Sequence, residues 1–140
     1  MVKVKDIMTV QPVTLNEGDT MEKAAELFKN NNFHHVPVIN DDGDLVGILS
    51  STDLERSLHG DTLFKVKDKA SYNDTLLKTN LVYRSMKKHI ITINQEDSLK
   101  DAYKLLKENN FRCLPVMGDN KLTGIVTNQD LLDYFMNTIE

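Results

Sequence analysis

Residues 4–54 of this 140-residue chain realign with residues 82–131 at a shift of about 78, and that duplication restricts the possible folds more than any other feature. Val4, Met8, Thr14, Asn16, Asp19, Ala24, Leu27 and Lys29 recur as Val82, Met86, Thr92, Asn94, Asp97, Ala102, Leu105 and Lys107. Asn31-Asn32-Phe33 returns as Asn109-Asn110-Phe111 and Pro37-Val38 as Pro115-Val116. One residue is then lost in a turn, and Leu45, Gly47, Ile48, Asp53 and Leu54 recur as Leu122, Gly124, Ile125, Asp130 and Leu131. A half of about fifty residues buries too little surface to be stable alone, so the two copies are expected to pack on each other.

Each copy reads as strand, helix, strand, strand, helix. Val13-Thr14-Leu15 forms a short strand, and Asp19 is the expected N-cap of a helix whose apolar residues Met21, Ala24, Ala25, Leu27 and Phe28 keep helical spacing. The run Asn30-Asn31-Asn32 is expected to stop that helix, because Asn tolerates the left-handed backbone. A strand over 36–39, a hairpin turn at Asp41-Asp42-Gly43-Asp44, a strand over 45–49 and a helix after Ser50 follow. The second copy repeats the order, with a helix from Asp97, strands over 114–117 and 122–126 around Gly118-Asp119-Asn120, and a helix after Thr127. Residues 1–59 are therefore assigned to the first repeat and 82–140 to the second, with 60–81 as a connector expected to be helical from Asn73 onward.

The charge of −4 is spread along the chain, which disfavours nucleic acid and anionic bilayers as partners. Cys113 is the only cysteine, so no intrachain disulfide and no four-cysteine metal cage can form; its two readings are a redox-sensitive thiol and a small packed hydrophobe. No apolar run reaches the length of about 20 residues that spans a bilayer, and MVKVKDIM lacks a signal-peptide core, so a cytoplasmic location is expected.

The segments Gly47-Ile48-Leu49-Ser50-Ser51-Thr52-Asp53 and Gly124-Ile125-Val126-Thr127-Asn128-Gln129-Asp130, with the Pro-Val strands before them, resemble the signature of cystathionine β-synthase (CBS) domains. The resemblance covers nearly all of the chain apart from the connector. It implies an α/β (α+β) fold of two CBS repeats packed sheet to sheet about a pseudo-twofold axis. It also implies clefts between the repeats that hold adenosine nucleotides, and association as a homodimer. By the same resemblance Asp53 and Asp130 bind ribose, while Ser50 and Thr127 contact ribose or phosphate. A carboxylate can accept both protons of a cis-diol, and a hydroxyl at a helix start lies beside free N–H groups. Ser-x-x-Asp and Thr-x-x-Asp equally read as capping boxes, a role compatible with ligand contact at the hydroxyl.

His34, His35 and Arg112 precede the prolines where the family carries phosphate-binding groups. Arg112 is the strongest candidate, since guanidinium stays charged and an imidazole of pKa about 6.5 does so only in part. Neighbouring residues on a strand face opposite ways, which argues against His34 and His35 sharing a metal. The family match assigns the adenine slot to Met8, Val13 and Leu49 in one copy and to Met86, Ile91 and Val126 in the other; ordinary core packing is the competing role. Lys65, Lys67 and Lys69 are further basic groups in the connector.

The function implied is a non-catalytic regulatory module that senses AMP, ADP, ATP or a related compound such as S-adenosylmethionine or NAD, needs no cofactor, and signals to a partner protein. With no catalytic or DNA-binding segment in these residues, the output is expected to pass through another chain. The alternative is an interaction or oligomerisation domain with no physiological ligand. An enzyme is disfavoured: the one Cys has no evident His partner, and neither a Gly-x-x-x-x-Gly-Lys loop nor metal-ligand spacing occurs.

Overall fold

The computed structural model describes residues 1–58 and 77–139. In chain order the elements are α1 (Val4–Ile7), β1 (Thr9–Val10), β2 (Leu15–Asn16), α2 (Met21–Asn30), β3 (His35–Ile39), β4 (Leu45–Ser50), α3 (Ser51–Leu58), α4 (Val82–Ser85), β5 (Ile93–Asn94), α5 (Leu99–Asn109), β6 (Cys113–Gly118), β7 (Lys121–Thr127) and α6 (Asn128–Thr138). The α/β fold with two repeats follows the order read from the sequence. The expected helix start at Asn73 and the connector lysines lie outside the described residues.

The chain divides into two compact units that do not coincide with the two repeats. Unit 1 comprises Met1–Pro12 and Ile91–Glu140, and unit 2 comprises Val13–Ile90. Each unit thus combines the body of one repeat with the leading segment of the other. In unit 2, β2 runs parallel to β3, which pairs antiparallel with β4. The edge of β4 is met by the leader of the second repeat: Ile48 and Lys87 exchange backbone hydrogen bonds of 3.0 and 2.8 Å. In unit 1 the order is β1-β7-β6-β5, and β1 from the start of the chain pairs antiparallel with β7, Thr9 opposite Ile125.

The signature glycines explain how those leaders approach. A Cβ on Gly47 would lie 2.6 Å from Met86 Sδ and 2.9 Å from the Lys87 carbonyl oxygen; one on Gly124 would lie 2.5 Å from Met8 Sδ and 2.7 Å from the Thr9 carbonyl oxygen. Both glycines are therefore needed for close approach of a neighbouring segment.

Asp19 is not the N-cap expected of it, and the second helix begins at Leu99 rather than from Asp97. The caps are Thr20 and Ser98, whose hydroxyls accept from Lys23 N–H at 3.4 Å and Asp101 N–H at 3.1 Å. The two aspartates close the preceding turns instead, accepting from Asn16 N–H at 2.8 Å and Asn94 N–H at 3.1 Å. That leaves their carbonyls free to receive the leaders: Val82 N–H donates to Asp19 O and Val4 N–H to Asp97 O, both at 2.8 Å. Helix α5 ends with Asn110 left-handed at φ 55°. Helix α2 does not: Asn31 is extended at φ −137° and caps through its side chain, its Nδ2 donating to Leu27 O at 2.9 Å.

Each unit has its own apolar core between the sheet and its helices. Leu15, Ala24, Val36, Val38, Leu49 and Val82 fill that of unit 2, and Val4, Ala102, Leu114, Val116 and Val126 fill that of unit 1. Cys113 is buried, and burial pushes its thiol up to about 12, so it packs as a protonated hydrophobe.

Candidate functional site

In both units the second hairpin strand enters the last helix through the same turn. Ser50 N–H donates to Asp53 Oδ2 at 3.0 Å, and Asp53 N–H donates to Ser50 Oγ at 3.0 Å. Thr127 N–H donates to Asp130 Oδ2 at 2.9 Å, and Asp130 N–H donates to Thr127 Oγ1 at 3.1 Å. The capping box is thus realised twice. It uses one carboxylate oxygen and accepts at the hydroxyl oxygen, leaving the second carboxylate oxygen, Oδ1, and the hydroxyl proton outside the cap.

The hairpin register brings the residues before proline to the same place. His35 lies opposite Ser50 and Cys113 opposite Thr127. Ser51 N–H donates to the His34 carbonyl at 2.9 Å, and Asn128 N–H donates to the Arg112 carbonyl at 3.0 Å. His34 and Arg112 therefore sit beside the first residue of α3 and α6 respectively, and both are exposed; His35 is half-buried. Among the described residues no group of three or more His, Cys, Asp or Glu could hold a metal ion.

Two cations beside Asp53 were not singled out in the sequence. Arg56 Nη1 and Lys87 Nζ each stand 3.6 Å from Asp53 Oδ1. Arg56 was legible as the residue one helical turn on. Lys87 was not, because its position depends on the second repeat's leader crossing to β4.

The residues expected to line adenine fall in different surroundings. Leu49 and Val126 are fully buried in the cores of their own units and present no surface to a ligand, and Met86, at 6% exposure, belongs to the core of unit 2. The exchange of leaders also regroups the set: Met8 lies in unit 1 with Ile91 and Val126, and Met86 in unit 2 with Val13 and Leu49. Val13 is 47% exposed, and Met8 and Ile91 are half-buried.

A strand-helix-hairpin-helix body given twice, each with a Pro-bearing strand and a capped Ser/Thr-x-x-Asp turn, defines a duplicated α/β module. The family model described as CBS domain matches residues 4–60 and 81–137, and the chain belongs to the CBS-domain family as a tandem pair. A CBS domain-containing protein of Dictyostelium discoideum is 33% identical over 142 residues, covering 99% of this chain and 94% of its own. A homoserine O-acetyltransferase of Methanocorpusculum labreanum is 33% identical over 129 residues, 91% of this chain. The chain spans only 23% of that enzyme's length. The structure of CBSX2 in complex with AMP is 28% identical, with a TM-score of 0.77 and coverage of 98% of both chains.

Proposed function

We propose that this CBS pair is a non-catalytic regulatory module that senses an adenosine-type nucleotide, AMP, ADP, ATP or a relative such as S-adenosylmethionine or NAD, and passes the change to a partner protein. The observation behind this reading is the duplicated turn, in which carboxylate oxygen Oδ1 and a hydroxyl proton remain outside the cap at the start of a helix. AMP on the similar CBSX2 supports it. Asp53 and Asp130 would each accept a ribose hydroxyl through Oδ1, Ser50 and Thr127 would donate to ribose or phosphate, and His34, His35 and Arg112 would meet phosphate. Met8, Val13 and Ile91 would supply apolar wall. No cofactor is required by this chemistry. We assign the module to the cytoplasm and to a homodimer; among the described residues no helix is long and apolar enough to cross a membrane. The response transmitted can be no larger than the ligand's preference for one conformation over another.

One observation favours the alternative of an interaction domain without a ligand. Leu132, Phe135, Met136 and Ile139 form an i, i+3, i+4, i+7 stripe along α6 and its C-cap, 48–59% exposed.

Calorimetric titration separates the two readings. An Asp→Asn change at 53 or 130 keeps an oxygen for the cap but turns an amide NH2, which donates and cannot accept, toward the sugar. Asp53→Asn or Asp130→Asn is expected to weaken nucleotide binding at its own site about tenfold to 150-fold, the equivalent of one charge-assisted hydrogen bond of about 1.5–3 kcal/mol. Binding unchanged in both variants would remove the ribose assignment, and a wild-type chain that binds none of the five compounds would leave the interaction reading.

A further inference from the structure

We propose that a groove in unit 1, between the end of α5 and the start of α6, binds a small organic phosphate carried on an apolar or aromatic body. The groove has a volume of about 330 Å³, within the range of small-molecule sites. Its floor is apolar, made by Leu106 and Phe111, and the exposed Tyr103 ring stands at its side. Its charges have one sign. Lys107 Nζ lies 5.7 Å from the Tyr103 ring centroid, and Arg112 adds a guanidinium that makes no ion pair or side-chain hydrogen bond among the described residues. Among the described residues no carboxylate lines the groove.

Two amides complete the polar wall. Asn110 takes the left-handed conformation at the end of α5, and its backbone N–H is spent on the Leu106 and Lys107 carbonyls, leaving the side chain available. Asn128 Nδ2 reaches the Phe111 carbonyl only at 3.5 Å, the outer limit of a hydrogen bond. A phosphate monoester matches this set: its oxygens accept from the guanidinium fork, the ammonium and the amides, while its organic body covers the ring and the apolar floor. Inorganic phosphate would use only half of it.

The duplication supplies an internal control. The residues of repeat 1 that correspond to Tyr103 and Arg112 are Ala25 and His34, so that copy lacks both the ring and the permanent charge. The groove shares Arg112 with the nucleotide reading but Asp130 is not among its lining residues, so a variant at Asp130 tells the two apart.

The test is a titration of the full chain with phenyl phosphate, followed by ¹H–¹⁵N correlation spectra. Saturable shifts are expected at the Tyr103, Asn110, Arg112 and Asn128 amides, at concentrations where inorganic phosphate leaves them unmoved. The Lys107→Gln/Arg112→Gln double variant, altered only at exposed side chains, should weaken the response at least tenfold, and Asp130→Asn should leave it intact. Absence of saturable shifts, an equal response to inorganic phosphate, or persistence in the double variant would overturn the proposal. Loss in Asp130→Asn would overturn its independence from the ribose site.

Discussion

The two capping turns of this chain have the same geometry and different surroundings. Their paired hydrogen bonds agree within about 0.1 Å, yet Asp53 is 5% exposed and faces two cations, whereas Asp130 is half-buried and has no ion pair among the described residues. The repeat shows where the difference originates. The residue of repeat 2 that matches Arg56 is Asp133, itself bonded to Gln129 Nε2 at 2.8 Å, and the residue of the first leader that matches Lys87 is Thr9. Duplication preserved the backbone device and released its electrostatics, so Asp130 offers a ligand an uncompensated acceptor while Asp53 offers one already shared with Arg56 and Lys87.

If backbone architecture is what the copies share, the largest effects of substitution should be equal in both. Gly47→Val and Gly124→Val each drive a branched side chain into a methionine sulfur and a backbone carbonyl that cannot move aside. Each is expected to destabilise the fold by roughly 3 kcal/mol or more, read from urea unfolding midpoints. A clear inequality between the two would break the equivalence of the leaders' crossings.

The next effect should be unequal. Asp53→Ala strands the N–H of Ser50, which is 9% exposed, and is expected to cost about 2 kcal/mol, while the half-buried Asp130→Ala should cost about 1 kcal/mol, since water can reach the freed donor. Equal losses in unfolding experiments would show that the surroundings of the two carboxylates do not matter to stability.

How much of this could be read beforehand depends on whether it was local. Alternation and turn residues were enough for the hairpins, because Gly43 at φ 84° and Asp119 and Asn120 at φ 52° and 65° are the residue types that adopt such conformations cheaply. The Ser50–Asp53 and Thr127–Asp130 boxes were legible as spacing. Asp19 and Asp97 misled because an aspartate before a helix can either cap it or close the turn preceding it, and the adjacent Thr20 and Ser98 took the cap. The exchange of leaders was not legible. A self-alignment assigns Met8 to the repeat that contains Leu49, whereas β1 hydrogen-bonds to β7, and nothing in the spacing records which sheet edge a leader will join. The full burial of Leu49 and Val126 was not legible for a related reason: alternation says that neighbours face opposite ways but not which face holds the core.

The leaders provide the last and smallest contrast. Both dock through matching backbone bonds, Val4 N–H to Asp97 O and Lys5 N–H to Gln95 O in unit 1, Val82 N–H to Asp19 O and Tyr83 N–H to Glu17 O in unit 2. Unit 1 adds charge: Lys3 and Lys5 reach Glu96 at 3.1 and 2.8 Å, where the matching residues of unit 2 are Leu81, Tyr83 and Gly18. The hydrogen bond from Lys5, then that from Lys3, holds the Glu96 carboxyl below its usual 4.5, and the hydrogen bond to Glu96 raises Lys5 above 10.5. A depressed carboxyl stabilises the fold above its unfolded pKa and loses that contribution as pH falls through the folded value; the raised lysine contributes below its unfolded pKa and loses it as pH climbs through the folded one. Glu96→Gln should therefore lower the unfolding midpoint slightly and by a constant amount from about pH 5 to pH 9, with the gap closing at either extreme and in about 1 M salt. A gap that persisted in acid would mean that Glu96 acts through packing or backbone geometry, and the two leaders would then differ in more than charge.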